Sequence, residues 1–114
     1  MKQKKMGYGV AAMAALYALT ASASTQVSPD RTITSIGAYG NMGYVVFSPA
    51  VPGLESCPYA NGDIVYFDWG TNPDAKTMYA TAMAAYLAGQ KVGFGVTGCV
   101  PGSAPIAYRI DVKP

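Results

Sequence analysis

With 114 residues, 8 Lys and Arg against 6 Asp and Glu, and no histidine, the chain has room for one small domain and lacks the usual acid–base side chain. Its net charge of +2 comes from the N-terminus. There Lys2, Lys4 and Lys5 precede an apolar run over 6–19 and the small-x-small triplet Ala21-Ser22-Ala23, the arrangement of a secretory signal peptide cut after Ala23.

The apolar run is shorter than the roughly 20 residues of a membrane span. No membrane insertion is therefore expected, and residues 24–114 form a single exported domain, secreted or periplasmic. In that domain five basic residues (Arg31, Lys76, Lys91, Arg109, Lys113) face six acidic ones (Asp30, Glu55, Asp63, Asp68, Asp74, Asp111), a net charge of −1. No basic patch remains for nucleic acid or anionic lipid. Cys57 and Cys99, bound for an oxidising compartment, predict a disulfide. In the chain-entropy model such a bridge is worth about 4 kcal/mol. The rival reading, a metal site, has neither histidine nor a second cysteine pair to draw on, and no metal or other cofactor is expected.

In chain order, residues 24–30 are polar and read as a loose arm. "RTITSIGAY" (31–39) is a β-rich run, "GNMG" (40–43) a turn, and "YVVFS" (44–48) a second strand stopped by Pro49 and Pro52. "ESCPYANGD" (55–63) is a loop with an Asn-Gly turn signal. "DIVYFDW" (63–69) is a third strand with Val65, Phe67 and Trp69 on one face. A helix follows, with Asn72 as N-cap, Pro73 at its first position and Gly89 as its stop. "KVGFGVTG" (91–98) is a fourth strand with Val92, Phe94 and Val96 on one face. "APIAYRIDV" (104–112) is a fifth, with Ile106, Tyr108, Ile110 and Val112 inward and Arg109 and Asp111 outward. The class is mainly β with one helix, and the order β-β-β-α-β-β is that of an OB-fold, a five-stranded Greek-key barrel. The alternative is another α+β sheet with one helix lying across it.

Few motifs carry chemistry. "GFGVTG" (93–98) matches G-x-G-x-x-G by letter, but it lies inside a strand and does not open a helix, so a dinucleotide site is excluded. Gly93, Gly95 and Thr97 share one strand face, which lets a neighbouring backbone approach closely. Without histidine, free thiols or a serine in a nucleophile motif, no enzyme is expected. Among the aromatic residues Tyr59, Tyr66, Phe67 and Trp69, a sugar-stacking role competes with packing. Phe67 and Trp69 read as core, and Tyr59, in a Pro-flanked loop, as the exposed ring.

The stretch "TMYATAMAAYLAGQKV" (77–92) resembles the helix and following strand of B subunits of the pertussis-like AB5 toxins, of the subtilase cytotoxin kind. Thr77, Tyr79, Ala82, Tyr86, Gly89, Gln90 and Val92 fall in the same register, and Trp69-Gly70 has a counterpart before the helix, with a slightly longer connection here. The resemblance is close only across these segments; elsewhere it rests on element order. It implies a homopentamer with its helices lining a pore, which binds cell-surface glycans, often sialylated, and carries a separate catalytic A subunit. It also implies a glycan site at Asp30 and Thr34, with Ser35 adjacent; Tyr59, read above as the exposed ring, is the stacking partner expected for it. Thr34 stands where the family has serine. The competing reading is a stand-alone exported protein that binds or inhibits another protein and has no glycan site.

The helix itself raises the question of partners. Tyr79, Met83 and Tyr86, flanked by Met78 and Leu87, form an apolar stripe expected to cover the barrel. Thr77, Ala80, Thr81, Ala84 and Ala88 then make an outward face that is small and uncharged, where a solvated helix carries Lys and Glu. Packing against neighbouring subunits is the expected use of that face.

Overall fold

A computed structural model describes residues 24–114; the signal-peptide reading of residues 1–23 lies outside the described residues. The chain forms β1 (Thr25–Tyr39), β2 (Met42–Ser48), a single 3-10 turn (Leu54–Ser56), β3 (Ile64–Asp68), α1 (Asp74–Ala88), β4 (Lys91–Cys99) and β5 (Pro105–Lys113). The expected order β-β-β-α-β-β is the order found. Hydrogen-bonded neighbours run β1-β2-β3-β5-β4, and β4 pairs back onto β1. This closed ring has the strand order of an OB-fold. Its narrowest seam is the parallel β3–β5 contact, registered at the single pair Tyr66–Ile106.

Residues 24–30 are not a loose arm. Thr25, Gln26 and Val27 pair with Val96, Gly95 and Phe94, so β1 spans 15 residues and closes the ring through its N-terminal half. Polar composition concealed this because only Val27 and Ile33 of β1 are fully buried. The second half of β1 pairs with β2 through a two-residue hairpin. Its first turn residue, Gly40, takes φ 56, which that loop length favours. The register slips between Ile33 and Ser35. Thr34 is thus the extra residue of a β-bulge that bends the strand from one pairing to the other.

Val45, Phe47, Val65, Phe67, Val92, Phe94 and Val96 fill the interior, each at most 1% exposed. Phe94 meets Phe47 at 5.3 Å and Phe67 at 6.3 Å between ring centroids, inclined by 42° and 60°. The glycines of β4 admit close neighbours: a side chain on Gly93 would meet the Val27 carbonyl oxygen at 2.6 Å. On β5 the expected alternation fails halfway. Gly95 pairs with Arg109 but Val96 with Ala107, which leaves Tyr108 as a bulge. Ile110 and Val112 therefore face the core, while Pro105 and Ala107 are buried in place of Ile106 and Tyr108.

Helix α1 closes the end of the ring where β1 passes into β2. Pro73 already has helical dihedrals, and the Asn72 carboxamide caps the first turn by accepting from the Asp74 amide at 3.1 Å. Gly89, at φ 67, ends the helix, with the Gln90 amide donating to the Ala85 carbonyl at 2.9 Å. The buried face consists of Ala75, Tyr79, Ala82 and Ala85, with Met78 packed at its margin. This corrects the expected inward stripe, because Met83 and Tyr86 are 40% and 38% exposed. The alanines are inward because a whole tyrosine occupies the helix–sheet gap. Tyr79 lies between Trp69, at 5.5 Å, and Phe67, at 6.0 Å. Its hydroxyl donates to the Gly37 carbonyl at 2.6 Å.

The Cys57–Cys99 disulfide is formed, across a sequence separation of 42 and a Cα–Cα distance of 5.7 Å. It ties the loop before β3 to the end of β4. Beside it the Glu55 carboxylate accepts from the Gly98 amide at 3.0 Å and from the Thr25 hydroxyl. Glu55 and Ser56 both hold φ near 55 (56 and 55), a left-handed conformation that costs a non-glycine residue free energy. That cost is offset by a carboxylate that links β1 to β4.

Candidate functional site

Two surfaces stand out: the outer face of β1–β2–β3 and the outer face of α1. On β1, Asp30 is exposed and accepts from the Ser28 hydroxyl at 2.9 Å; its carboxylate lies 3.3 Å from the Arg31 Nε. The Ser28 hydrogen bond, helped by the Arg31 charge, holds the Asp30 carboxyl below its ordinary value. Arg31 is anchored through the Pro49 carbonyl at 3.1 Å. One step on, Thr32 accepts from the Lys91 Nζ at 2.7 Å.

The bulge leaves both Thr34 and Ser35 exposed. The Thr34 hydroxyl donates to the Val46 carbonyl at 3.3 Å, so its oxygen lone pairs remain free to accept. Asp30, Thr34 and Ser35 thus lie along one strand. Tyr59 is elsewhere: half-buried in the loop before β3, it donates to Asp63 at 2.5 Å and receives Asn61 at 3.3 Å. Donation to Asp63 raises its phenol pKa. Among the described residues no hydrogen bond joins Tyr59 to Asp30, Thr34 or Ser35.

A second group lies on the same face, and of its tyrosines only Tyr66 stood among the aromatic residues considered for sugar stacking. Strand register aligns Gly37, Tyr44, Tyr66 and Ile106 side by side across β1, β2, β3 and β5. Val45, Val65 and Phe67, the neighbours of Tyr44 and Tyr66, point inward, so these tyrosines point outward. Tyr39 and Tyr66 flank Tyr44 at 6.3 Å and 6.4 Å, inclined by 53° and 62°. The Ser103 hydroxyl, from the loop before β5, donates to the Tyr66 hydroxyl at 3.3 Å. The neighbouring Tyr66 hydroxyl holds the Tyr39 phenol above its ordinary pKa. A two-residue turn at Gly40-Asn41 would have revealed this row; the expected turn over 40–43 hid it.

On α1, Thr77, Ala80, Thr81, Ala84 and Ala88 are all exposed. The Thr81 hydroxyl folds back onto the Thr77 carbonyl at 3.1 Å, which lowers the polarity of that face. Leu87, 80% exposed, and Met83 extend it, and a shallow groove runs past Trp69, Ala80, Met83, Ala84 and Leu87, with Lys76 and Tyr79 also on its lining. Among the described residues no cluster of three or more metal-ligating side chains occurs, and no helix is long and apolar enough to cross a membrane. Comparison with protein-family models and with curated protein sequences finds no match.

Proposed function

We propose that the mature domain is an exported, self-assembling glycan-binding subunit, similar in role to an AB5 toxin B subunit and without catalytic activity of its own. The observation that carries the reading is the β-bulge at Thr34, which opens two adjacent hydroxyls, Thr34 and Ser35, onto the surface of the strand that bears Asp30. Carboxylate and hydroxyl oxygens accept from sugar hydroxyls, and Lys91, beside Thr32, supplies a cation for the carboxylate of a sialylated glycan. The helix face supports self-assembly: covering the exposed Leu87 and Met83 would be favourable, and the alanines around them permit close approach of another helix. Assembly as a homopentamer would set several weak sugar sites in one plane, where avidity raises the net affinity. A catalytic A subunit is the cargo this arrangement would carry.

A glycan array with wild type, Thr34→Ala and Asp30→Ala tests the sugar reading. Wild type is expected to retain a defined set of glycans, and both variants to lose it. Unchanged retention by the variants refutes the assigned site. Sedimentation at micromolar concentration tests assembly: Ala84→Glu, almost silent in a monomer (within about 0.5 kcal/mol), should drive a ring toward monomer. A wild type that already sediments as a monomer ends the assembly reading. The exposed Leu87 and Met83 also favour a second reading, a stand-alone binder of another protein. In that case a defined partner would bind wild type, Leu87→Asp would lose it, and the glycan array would stay blank.

A further inference from the structure

We infer that the tyrosine row of the outer sheet face is an aromatic subsite for a neutral pyranose, separate from the hydroxyls of Thr34 and Ser35. The inference rests on the reading that the protein binds glycans and names the class of sugar unit this second place accepts.

The row is built around a gap in the side-chain pattern. A Cβ on Gly37 would lie 2.4 Å from the Tyr44 hydroxyl and 2.5 Å from its Cζ, so the phenol end of Tyr44 occupies the space above β1 that any other residue would fill. Tyr44 is thereby laid across the sheet, and Tyr39 and Tyr66 rise at an angle on either side. Tyr44 and Tyr66 are half-buried and Tyr39 is 54% exposed, so part of the aromatic surface of the row meets solvent. Polar groups sit at the edges: the Tyr66 hydroxyl with Ser103 on one side, and Ser35, paired with Val46 two rungs away, on the other. An aromatic floor with hydroxyls at its rim suits a sugar ring, whose C–H face stacks while its hydroxyls reach outward.

Charge selects among ligands that stack. Neither the rung Gly37–Tyr44–Tyr66–Ile106 nor the next, Tyr39–Met42–Asp68, contains a Lys or Arg. The carboxylate beside the row is that of Asp68, which accepts from the Gly70 amide at 3.0 Å. Single-stranded nucleic acid needs cations along its backbone as well as stacking, and an anionic sugar would meet Asp68 unpaired. A neutral pyranose meets neither obstacle. Arg109 is engaged elsewhere, with Asp111 at 3.0 Å and with Gln26.

The test is a two-dimensional NMR titration of the mature protein with methyl β-D-galactopyranoside, followed at the tyrosine ring resonances. The expected result is a saturable shift of Tyr44, Tyr66 and Tyr39, with Tyr59 unmoved. Tyr44→Ala should weaken it roughly tenfold or more. Should Tyr44→Ala fail to fold, the exposed Tyr39→Ala carries the same comparison. Absence of a Tyr44 shift at tens of millimolar sugar overturns the inference, as does stronger binding of an oligothymidylate than of the sugar. The two readings fail differently. If glycan-array binding depends on Thr34 but not on Tyr44, the subsite is wrong and the proposed function stands. If the titration shifts the tyrosines while Thr34→Ala and Asp30→Ala leave the array unchanged, the subsite stands and the β1 site is wrong.

Discussion

Gly43→Ala should be among the most damaging single-methyl changes in this protein. Gly43 is buried on β2 and has no positive φ, so an alanine there is free of backbone strain and its cost is purely steric. The added Cβ would lie 2.5 Å from both Cδ1 and Cε1 of Tyr79 and 2.9 Å from Cγ, well inside van der Waals contact. Tyr79 has little room to yield, being held between Trp69 and Phe67 and fastened by its hydroxyl to Gly37. Overpacking of this kind costs about 1–3 kcal/mol, and losing the Tyr79 hydrogen bond as the ring shifts adds about 1 kcal/mol. The sum is about 3 kcal/mol, which in a domain of this size lowers Tm by roughly 12–24 °C. Urea and thermal unfolding followed by far-UV circular dichroism would measure it. Gly98→Ala is the control: nothing lies within 4 Å of its Cβ, and its φ of 68 imposes a conformational cost of only about 1–2 kcal/mol. The decisive comparison is a double-mutant cycle. In a Tyr79→Ala background Gly43→Ala should be nearly neutral. An equal cost in both backgrounds would show that the ring is not what Gly43 makes room for.

Two further outcomes follow from the covalent and titratable groups. The unfolded protein should show no reactive thiol, and Cys57→Ser/Cys99→Ser should lose about 2–5 kcal/mol; two free thiols in wild type would contradict the bridge. Burial, with a smaller contribution from Tyr44, raises the Tyr79 phenol pKa. Its contribution to stability is therefore complete below the unfolded value of about 10 and is lost as pH rises through the higher folded value. Urea midpoints measured from pH 8 to 11.5 should fall for wild type and fall less steeply for Tyr79→Phe. Identical slopes would mean that Tyr79 does not contribute to alkaline unfolding.

The strand order and the helix position were legible because they depend on period and punctuation. Val92, Phe94 and Val96 alternate, Asn72 caps, and Gly89 stops. The pairing of residues 25–27 was not legible, because an isolated Val27 among polar residues gives no periodic signal; only the ring-closing partner β4 makes them a strand. Facing failed at β5 for a different reason. One extra residue at Tyr108 reverses every side chain on one side of the bulge, and nothing in "APIAYRIDV" announces it.

The helix shows how a facing error bears on function. Reading Tyr79, Met83 and Tyr86 as one inward stripe assumes that large apolar residues seek the core together. The gap between α1 and the sheet is instead filled by one tyrosine, and the positions a turn away on the same face have room only for Ala75, Ala82 and Ala85. The larger side chains Met83 and Leu87 are therefore displaced outward, onto the same side as Ala80 and Ala84. The outward face is thus more apolar than its small residues alone suggested. It combines alanines, which permit close approach, with Leu87 and Met83, which gain from being covered. That combination strengthens the case for a partner at this face beyond what an alanine-rich stripe could make, since alanine on a solvated helix is explained by propensity alone. Leu87, 80% exposed, and Met83, 40% exposed, add what alanine lacks: apolar area large enough for its covering to stabilise an association.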